Sequence, residues 1–513
     1  MKKYLFTAAL LLTAMAGAAQ ETYENAKIVT EDLNGTARYV GMGGAMDALG
    51  ADISTIGTNP AGVGLFRKSS ANVSFGLVSQ QDGNDFANGN KTNMSFDQAG
   101  FVWAMKSGQN SYFNFAFNYH KSSNFDYILS AVDRLSNASQ NKLTYDKAYE
   151  DLLFPSSGGV PDHRHPYASC SQLDYMYADG WNYNADDNTW YYEPATAYTL
   201  DRAQKGYIGE YDFNLSGNYR DRIYWGVTLG IRDVNYKHYG EYREQLNGFN
   251  MLVSDDRKID GTGFDIKAGV IFRPIEASPF RIGLTVHTPT WYDLTTSNYT
   301  TISDGDFSTS SSEAYDFKLY TPWRFGLSLG HTVGNFLALG ASYEFADYGS
   351  LDTRYNTGDY YDYWYGSYSS SSSSDDVMNR HTEQTLKGVS TLKLGAEYKP
   401  IPELALRVGY NYVSPMYNKE GFKDGTLPTD GSYYSSATDY TNWESTNRFT
   451  CGLGYNVGQF SLDVAYQYSA QNGKFSPFMN YVNNNEADLN NVANTVDVSN
   501  KRHQVLFTLG YKF

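Results

Sequence analysis

Cysteine is almost absent from this chain of 513 residues: there are two, Cys170 and Cys451, too few for a disulfide framework. Cys170 falls in a long polar stretch, whereas Cys451 alternates with Phe449, Leu453 and Tyr455 on an oily face, so the two are not expected to pair. Positive charge is also scarce. With 40 Lys and Arg against 56 Asp and Glu, the net charge of −16 argues against a nucleic-acid partner. Beyond the N-terminal segment no apolar run approaches the roughly 18 residues of a membrane-spanning helix. A mean hydropathy of −0.51 reads as soluble, yet strands that alternate oily and polar residues also average to low values. No redox, nucleotide-binding or metal-cluster spacing occurs. Gly326-Leu327-Ser328-Leu329-Gly330 matches the hydrolase pattern G-x-S-x-G, but it lies within an alternating strand, and that chemistry needs a strand-to-helix turn. The reading is therefore of a non-enzyme, with no catalytic residues, no metal and no cofactor.

What is abundant is tyrosine: 46 residues, within an aromatic content of 16%. Tyr and Trp favour boundaries where one end is oily and the other wet. The N-terminus fits export, with Lys2 and Lys3 before an apolar run from Tyr4 to Met15 and small residues at Ala16-Gly17-Ala18. Residues 1–19 are expected to be a signal peptide. No Cys follows it, so it is not a lipoprotein signal. At the other end, Val505, Phe507, Leu509, Tyr511 and Phe513 share one face of a strand that finishes on the aromatic. A terminal aromatic strand of this kind suits the closing strand of an outer-membrane β-barrel.

Period-two segments recur along the whole chain, from Ala71–Ser79 through the very regular Tyr112–His120 to His503–Phe513, about fourteen in all. The connections sort by length. Tight ones (Ser107–Ser111, Arg220–Asp221, Pro274–Pro279, Thr332–Asn335, Pro400–Glu403, Gly458–Gln459) alternate with long polar ones such as Lys121–Gly206, Thr288–Thr321 and Asp347–Gly388. Short periplasmic turns and long outer loops give that pattern, so the fold class is all-β, an antiparallel transmembrane barrel spanning residues 70–513. In the longest insert Phe125–Leu135 reads as a short helix. The Tyr360–Tyr365 stretch and the Ser369–Ser374 run read as a solvated loop. Leu453 should face lipid and Thr450 the lumen, so a charge at Thr450 should be the better tolerated.

The polar faces carry Asp212, Arg232, Asp265, Lys267, Arg281, Arg324, Glu344, Lys393, Glu397, Arg407 and Asp463. Both signs are present, which points to internal pairing rather than an ion filter. The same faces carry many glycines, among them Gly226, Gly269, Gly340, Gly395 and Gly409, leaving space for water, a ligand or part of the chain.

Residues 20–69 precede the first strand. They contain Gly41-Met42-Gly43-Gly44-Ala45, then Asp52, then Asn59-Pro60-Ala61-Gly62, and are too apolar and glycine-rich for a disordered tail. A segment of this length is expected to fold inside the barrel as a hatch. These motifs, with Arg281-Ile282-Gly283-Leu284-Thr285-Val286-His287-Thr288-Pro289-Thr290, resemble the FadL/TodX family of outer-membrane transporters for fatty acids and aromatic hydrocarbons. The likeness runs along essentially the whole chain and is densest at Gly35–Gly62. It implies a monomer in the outer membrane of a Gram-negative bacterium, surrounded by lipid, passing a hydrophobic small molecule by passive diffusion. It also implies a hatch shift and lateral exit through the wall, although the third strand has no Gly or Pro to mark a kink. For a long-chain fatty acid, the oily contacts are expected from Trp291, Tyr292 and Tyr320, and the head-group cation from Arg232, Arg324 or Arg407, although for any one of these a structural ion pair is the favoured reading. An alternative function stays open: a haem-binding or secretion-associated barrel that recruits a partner through its outer loops, with His163 and His165 as the candidate haem or metal ligands.

Overall fold

Fourteen antiparallel strands close on themselves in the computed structural model, which describes residues 21–513 apart from 88, 157, 363–366 and 484–485. The expected export segment, 1–19, and positions 363–365 of the aromatic stretch lie outside the described residues. The barrel strands are β1 (Ser70–Gln80), β2 (Thr92–Gly108), β3 (Ser111–Asn124), β4 (Ala195–Tyr219), β5 (Ile223–Gln245), β6 (Asn250–Phe272) and β7 (Arg281–His287). Then follow β8 (Arg324–Val333), β9 (Leu337–Asp347), β10 (Gly388–Ile401), β11 (Leu404–Val413), β12 (Tyr440–Val457), β13 (Phe460–Ser476) and β14 (Val496–Lys512). Each pairs with the next, and β14 pairs with β1 from Ser70↔Lys512 to Gln80↔Arg502. Among the described residues every barrel strand is thereby paired on both sides, which is what a sheet needs in a solvent that cannot hydrogen-bond.

The alternation read from the sequence is the inside–outside alternation of the wall. In β14, Phe507 and Leu509 are 49% and 56% exposed, while Leu506 and Thr508 are 0% and 2% exposed. In β5, Trp225, Val227, Leu229 and Ile231 point outward, and Gly226, Thr228, Gly230 and Arg232 point inward. An outward apolar belt continuous around a closed barrel is a lipid-facing surface, so the chain is a transmembrane β-barrel of the outer-membrane type. Cys451 lies on that belt, Cys170 is buried far from it in the sequence, and both are free.

Several strands run well past the belt. Spanning a bilayer takes about 9–11 residues, whereas β4 has 25 and β5 and β6 have 23 each. The long connections are correspondingly folded. Residues Tyr127–Ala138 form a strand paired with the outer half of β4, not a helix at Phe125–Leu135. Tyr127, Leu129 and Ala131 alternate toward a core there, and period two prevailed over the helical reading. Trp291–Ser303 and Ser308–Tyr320 form a hairpin against β6. Asp352–Asp362 and Ser367–Ser374 form another, so the serine run is a strand rather than a solvated loop.

The described helices are short. In the N-terminal segment lie α1 (Thr22–Ile28) and α2 (Ala37–Gly41). In the outer connections lie α3 (Gln140–Tyr149), α4 (Gln172–Tyr177) and α5 (Asp376–Thr385). Ser139 caps α3 by accepting from Lys142 N, and Ser171 and Asp174 form a capping box on α4. Tyr177 of α4, Tyr198 of β4, Phe475 of β13 and Phe478 share one buried cluster. Since β4 and β13 are not neighbours in the wall, that cluster spans the mouth as a cap.

Candidate functional site

The N-terminal segment sits inside the barrel, and the inward glycines are the sockets that receive it. A β-carbon at Gly340 would overlap the carbonyl oxygen of Ala45; at Gly395, that of Met42; at Gly409, the amide of Gly43. Gly43 itself has φ +63°, a left-handed backbone that lets it lie against Tyr410 of β11. Local capping fixes the fold of the segment. The Thr36 hydroxyl donates to the Asp52 carboxylate at 2.9 Å and accepts from Tyr39 N. Asn59 Oδ1 accepts from Ala61 N, and Pro60 opens a short 3-10 turn, Pro60–Leu65. This Asn59-Pro60-Ala61-Gly62 motif lies at the tight-turn end: Pro60 fills the socket at Gly226, and Arg67 pairs with Asp221 in the turn beyond. Gly43 lies against Leu394 of β10 and Tyr410 of β11, Gly41 against Arg407 of β11 and Gly452 of β12, and Gly44 packs within the plug on Leu33 and Tyr39.

Above that plug the segment between α1 and α2 carries Glu31 and Asp32. Arg324 Nη1 and Nη2 donate to the Glu31 carboxylate at 2.6 and 3.0 Å, and Arg232 Nη1 donates to it at 2.7 Å. Burial alone would raise the Glu31 carboxyl, but Arg324 and Arg232 together hold it well below the usual carboxylate range. Arg232 also donates to Asp265 at 2.9 Å, and Lys267 binds Asp212 at 2.9 Å, Asp265 at 3.2 Å and Glu210. Below the plug, Arg407 joins Glu397 at 2.7 Å and Asp463 at 2.5 Å, while Arg38 of α2 reaches Glu397 at 3.1 Å. The lumen charges are thus paired across strands and to the plug.

A cavity of about 270 Å³ lies between plug and cap. Phe125, Tyr127, Trp443 and Tyr417 contribute aromatic surface to its lining, and Arg324, Lys393, Arg448 and Arg502 contribute basic groups. Of the cations picked from sequence, Arg324 lines this cavity; Arg232 stands behind Glu31, and Arg407 lies under the plug. The aromatic candidates lie elsewhere. Trp291 stacks on Phe264 on the outer surface, Tyr292 is closed into a core beside Tyr23, and Tyr320 lies under the Arg354 guanidinium at 5.1 Å. Arg448, Arg502, Phe125 and Trp443 were missed, since their convergence depends on contacts between distant strands rather than on local pattern.

His120, Glu210 and Asp212 bring possible metal-ligand atoms within 4.8 Å of one another. Lys267 Nζ already bonds both carboxylates, so the positive charge such a cluster wants is supplied by the chain itself. His163 stacks on Tyr433 at 4.1 Å and bonds Tyr175 Oη at 2.7 Å, and His165 stacks on Phe154 at 3.7 Å. Both serve the packing of the cap. Ser328 lies mid-strand in β8 opposite Gly283, with no helix after it, and the hydrolase pattern there is a coincidence of strand composition.

This geometry defines a plugged, capped transmembrane barrel. No family model matches the chain, and no curated protein is significantly similar to it in sequence. Solved structures are similar in fold. A FadL homologue of Pseudomonas aeruginosa superposes with a TM-score of 0.51 at 13% identity, over 94% of this chain and 99% of that one. The toluene transporters TbuX of Ralstonia pickettii and TodX of Pseudomonas putida cover the same shares at 12% and 11% identity, with TM-scores of 0.49 and 0.47. The chain has the fold of a FadL-type barrel.

Proposed function

We propose that this protein is a FadL-type transporter that admits small hydrophobic molecules across the outer membrane of a Gram-negative bacterium. It acts as a monomer and without a cofactor, the ligand moving down its own gradient. The observation that carries the reading is the half-apolar cavity between a seated N-terminal plug and a folded outer cap, in a barrel of this fold. Residues 20–69 are the hatch and residues 70–513 the barrel of this reading. A long-chain fatty acid fits the chemistry: an alkyl chain against Phe125, Tyr127 and Trp443, and a carboxylate toward Arg324. The cavity is small for a whole long chain with the plug seated, so passage of one requires the plug to shift. Liposomes carrying the purified protein should take up a labelled fatty acid faster than protein-free liposomes. Uptake no faster than that control, with retention of haem or of a secreted protein instead, would replace this reading by a partner-binding one.

A further inference from the structure

Glu31 and Asp32 are adjacent in sequence, and both face arginines on the barrel wall. Glu31 is gripped by Arg232 of β5 and Arg324 of β8, the latter through two parallel bonds. Asp32 lies 3.6 Å from Arg448 of β12 and 3.9 Å from Arg502 of β14. Four strands thus aim guanidinium groups at one dipeptide of the plug. A guanidinium pair around a carboxylate is the arrangement that recognises a free carboxylate or phosphate ligand, because its donors form a fixed fork.

Three further observations indicate that the dipeptide stands where something else belongs. Arg324, Arg448 and Arg502 of the cluster line the cavity, and Arg448 Nε, on a side chain only 7% exposed, has no hydrogen-bond partner among the described residues. A buried donor left unpaired beside open space is a site short of an acceptor. Five basic and five acidic side chains line the cavity, and Glu31 and Asp32 are two of the acids. Withdrawing them leaves five cations facing three carboxylates. The dipeptide also sits in the link between α1, which ends at Ile28, and α2, which starts at Ala37, so its departure unwinds neither helix; what it breaks on β3 are two bonds, Asp32 N to Ser122 O at 2.8 Å and Asn124 N to Asp32 Oδ2 at 2.9 Å.

We propose that Glu31-Asp32 is a built-in placeholder for the anionic head group of an amphiphilic ligand, which binds by displacing it from the arginine cluster. The inference rests on the transport reading above and deepens it, since it names an anionic amphiphile as the preferred cargo. Placeholder and ligand compete, so the wild-type affinity for the ligand is lowered by the fraction of time the cluster is free. A neutral molecule of the same chain length gains nothing from the exchange and leaves the plug seated.

The test uses the full chain in non-ionic detergent, with labelled decanoate, decyl phosphate and decanol as probes, corrected for micelle partitioning. Glu31→Gln should bind decanoate or decyl phosphate at least tenfold more tightly than wild type, with decanol affinity changed less than twofold. The stronger of the two anions identifies the head group. Adding Arg324→Gln should remove the gain. Asp32→Asn provides the same comparison should the first variant not assemble. In wild type, hydrogen exchange over residues 29–35 should quicken with the preferred anion and not with decanol. An equal gain for all three probes, no gain for either anion, or unchanged exchange would overturn the placeholder. Should decanol bind wild type while neither anion gains, the placeholder alone falls. Absence of binding by every form to every probe would remove the transport reading as well.

Discussion

Gly340 of β9 and Ala45 of the plug meet so closely that no β-carbon fits between them. The same fit recurs at Gly395 with Met42 and at Gly409 with Gly43, so a row of wall glycines on β9, β10 and β11 forms the seat of the plug. Valine at these places would suit the strand, since β-branched residues pack well on a pleated surface, but it would occupy the seat. The double variant Gly340→Val/Gly395→Val should therefore keep its barrel and lose its plug. In planar bilayers it should pass steady ion current where the wild type is closed. Deleting Glu21–Thr58 should do the same by removing the plug outright. A closed double variant with normal heat-modifiable mobility on a gel would contradict the seating.

Lys267 Nζ is shared by Glu210, Asp212 and Asp265, all almost wholly buried. Removing the shared cation leaves three crowded carboxylates with Arg232 beside only Glu210 and Asp265, a loss of about 3–5 kcal/mol. Lys267→Met should accordingly lower the denaturant midpoint of refolding into lipid. Replacing Asp212 by Asn in the same chain should restore part of that loss, because it removes one uncompensated charge. Equal stability of Lys267→Met and wild type would mean that the cluster is hydrated rather than dry.

The fourteen barrel strands were legible because a wall with lipid outside and a packed lumen inside enforces period two at almost every position. Their inner ends were placed closely, as tight turns mark them. Their outer ends were not: β4 begins at Ala195 rather than Tyr207, since above the membrane both faces become polar and the alternation loses its contrast. The glycines were correctly read as space, but what fills that space could only be guessed. The arginine cluster was half legible. Arg232 and Arg324 stand out as charges on inward faces, whereas Glu31 and Asp32 sit in a polar link with no periodicity and acquire meaning only from residues some 200 to 470 positions away.

Leu453 and Thr450 of β12 test the register from both sides. Leu453 is 56% exposed on the lipid belt, so Leu453→Arg should cost roughly 2–4 kcal/mol near the midplane. A lumen position was expected to be more forgiving. In the structure, however, the Thr450 hydroxyl donates to Gly41 O of the plug at 3.2 Å, and the side chain is buried. Thr450→Arg should therefore displace α2 rather than be absorbed, opening the channel while the barrel survives. Refolding midpoint and bilayer current separate the two outcomes: the first variant loses stability, the second loses closure. The same phenotype from both would show that the register is wrong.

The cap carries a titrating group in a position to sense pH. Glu244 lies in the outer extension of β5, beyond the lipid belt, and its Oε1 accepts from Gln140 N at the start of α3 and from Tyr242 Oη, at 2.6 and 2.7 Å. Burial pushes its carboxyl up to about 7, against the opposing pull of these two bonds. Burial likewise raises Asp146 of α3 to about 7, opposed by Lys142. A carboxyl whose value is higher in the folded state than the usual 4.5 binds its proton more tightly when folded. Its contribution to the cap is then complete below about 4.5, fades as pH climbs toward about 7, and stays lost above that. Amide exchange in α3, corrected for intrinsic rates, should be about tenfold slower at pH 5 than at pH 8, the direction fixed by the raised values. Glu244→Gln with Asp146→Asn keeps the acceptors and removes the titration, so its profile should be flat. A wild-type profile that is already flat, or one that rises toward pH 8, would show that the cap admits water to both carboxylates.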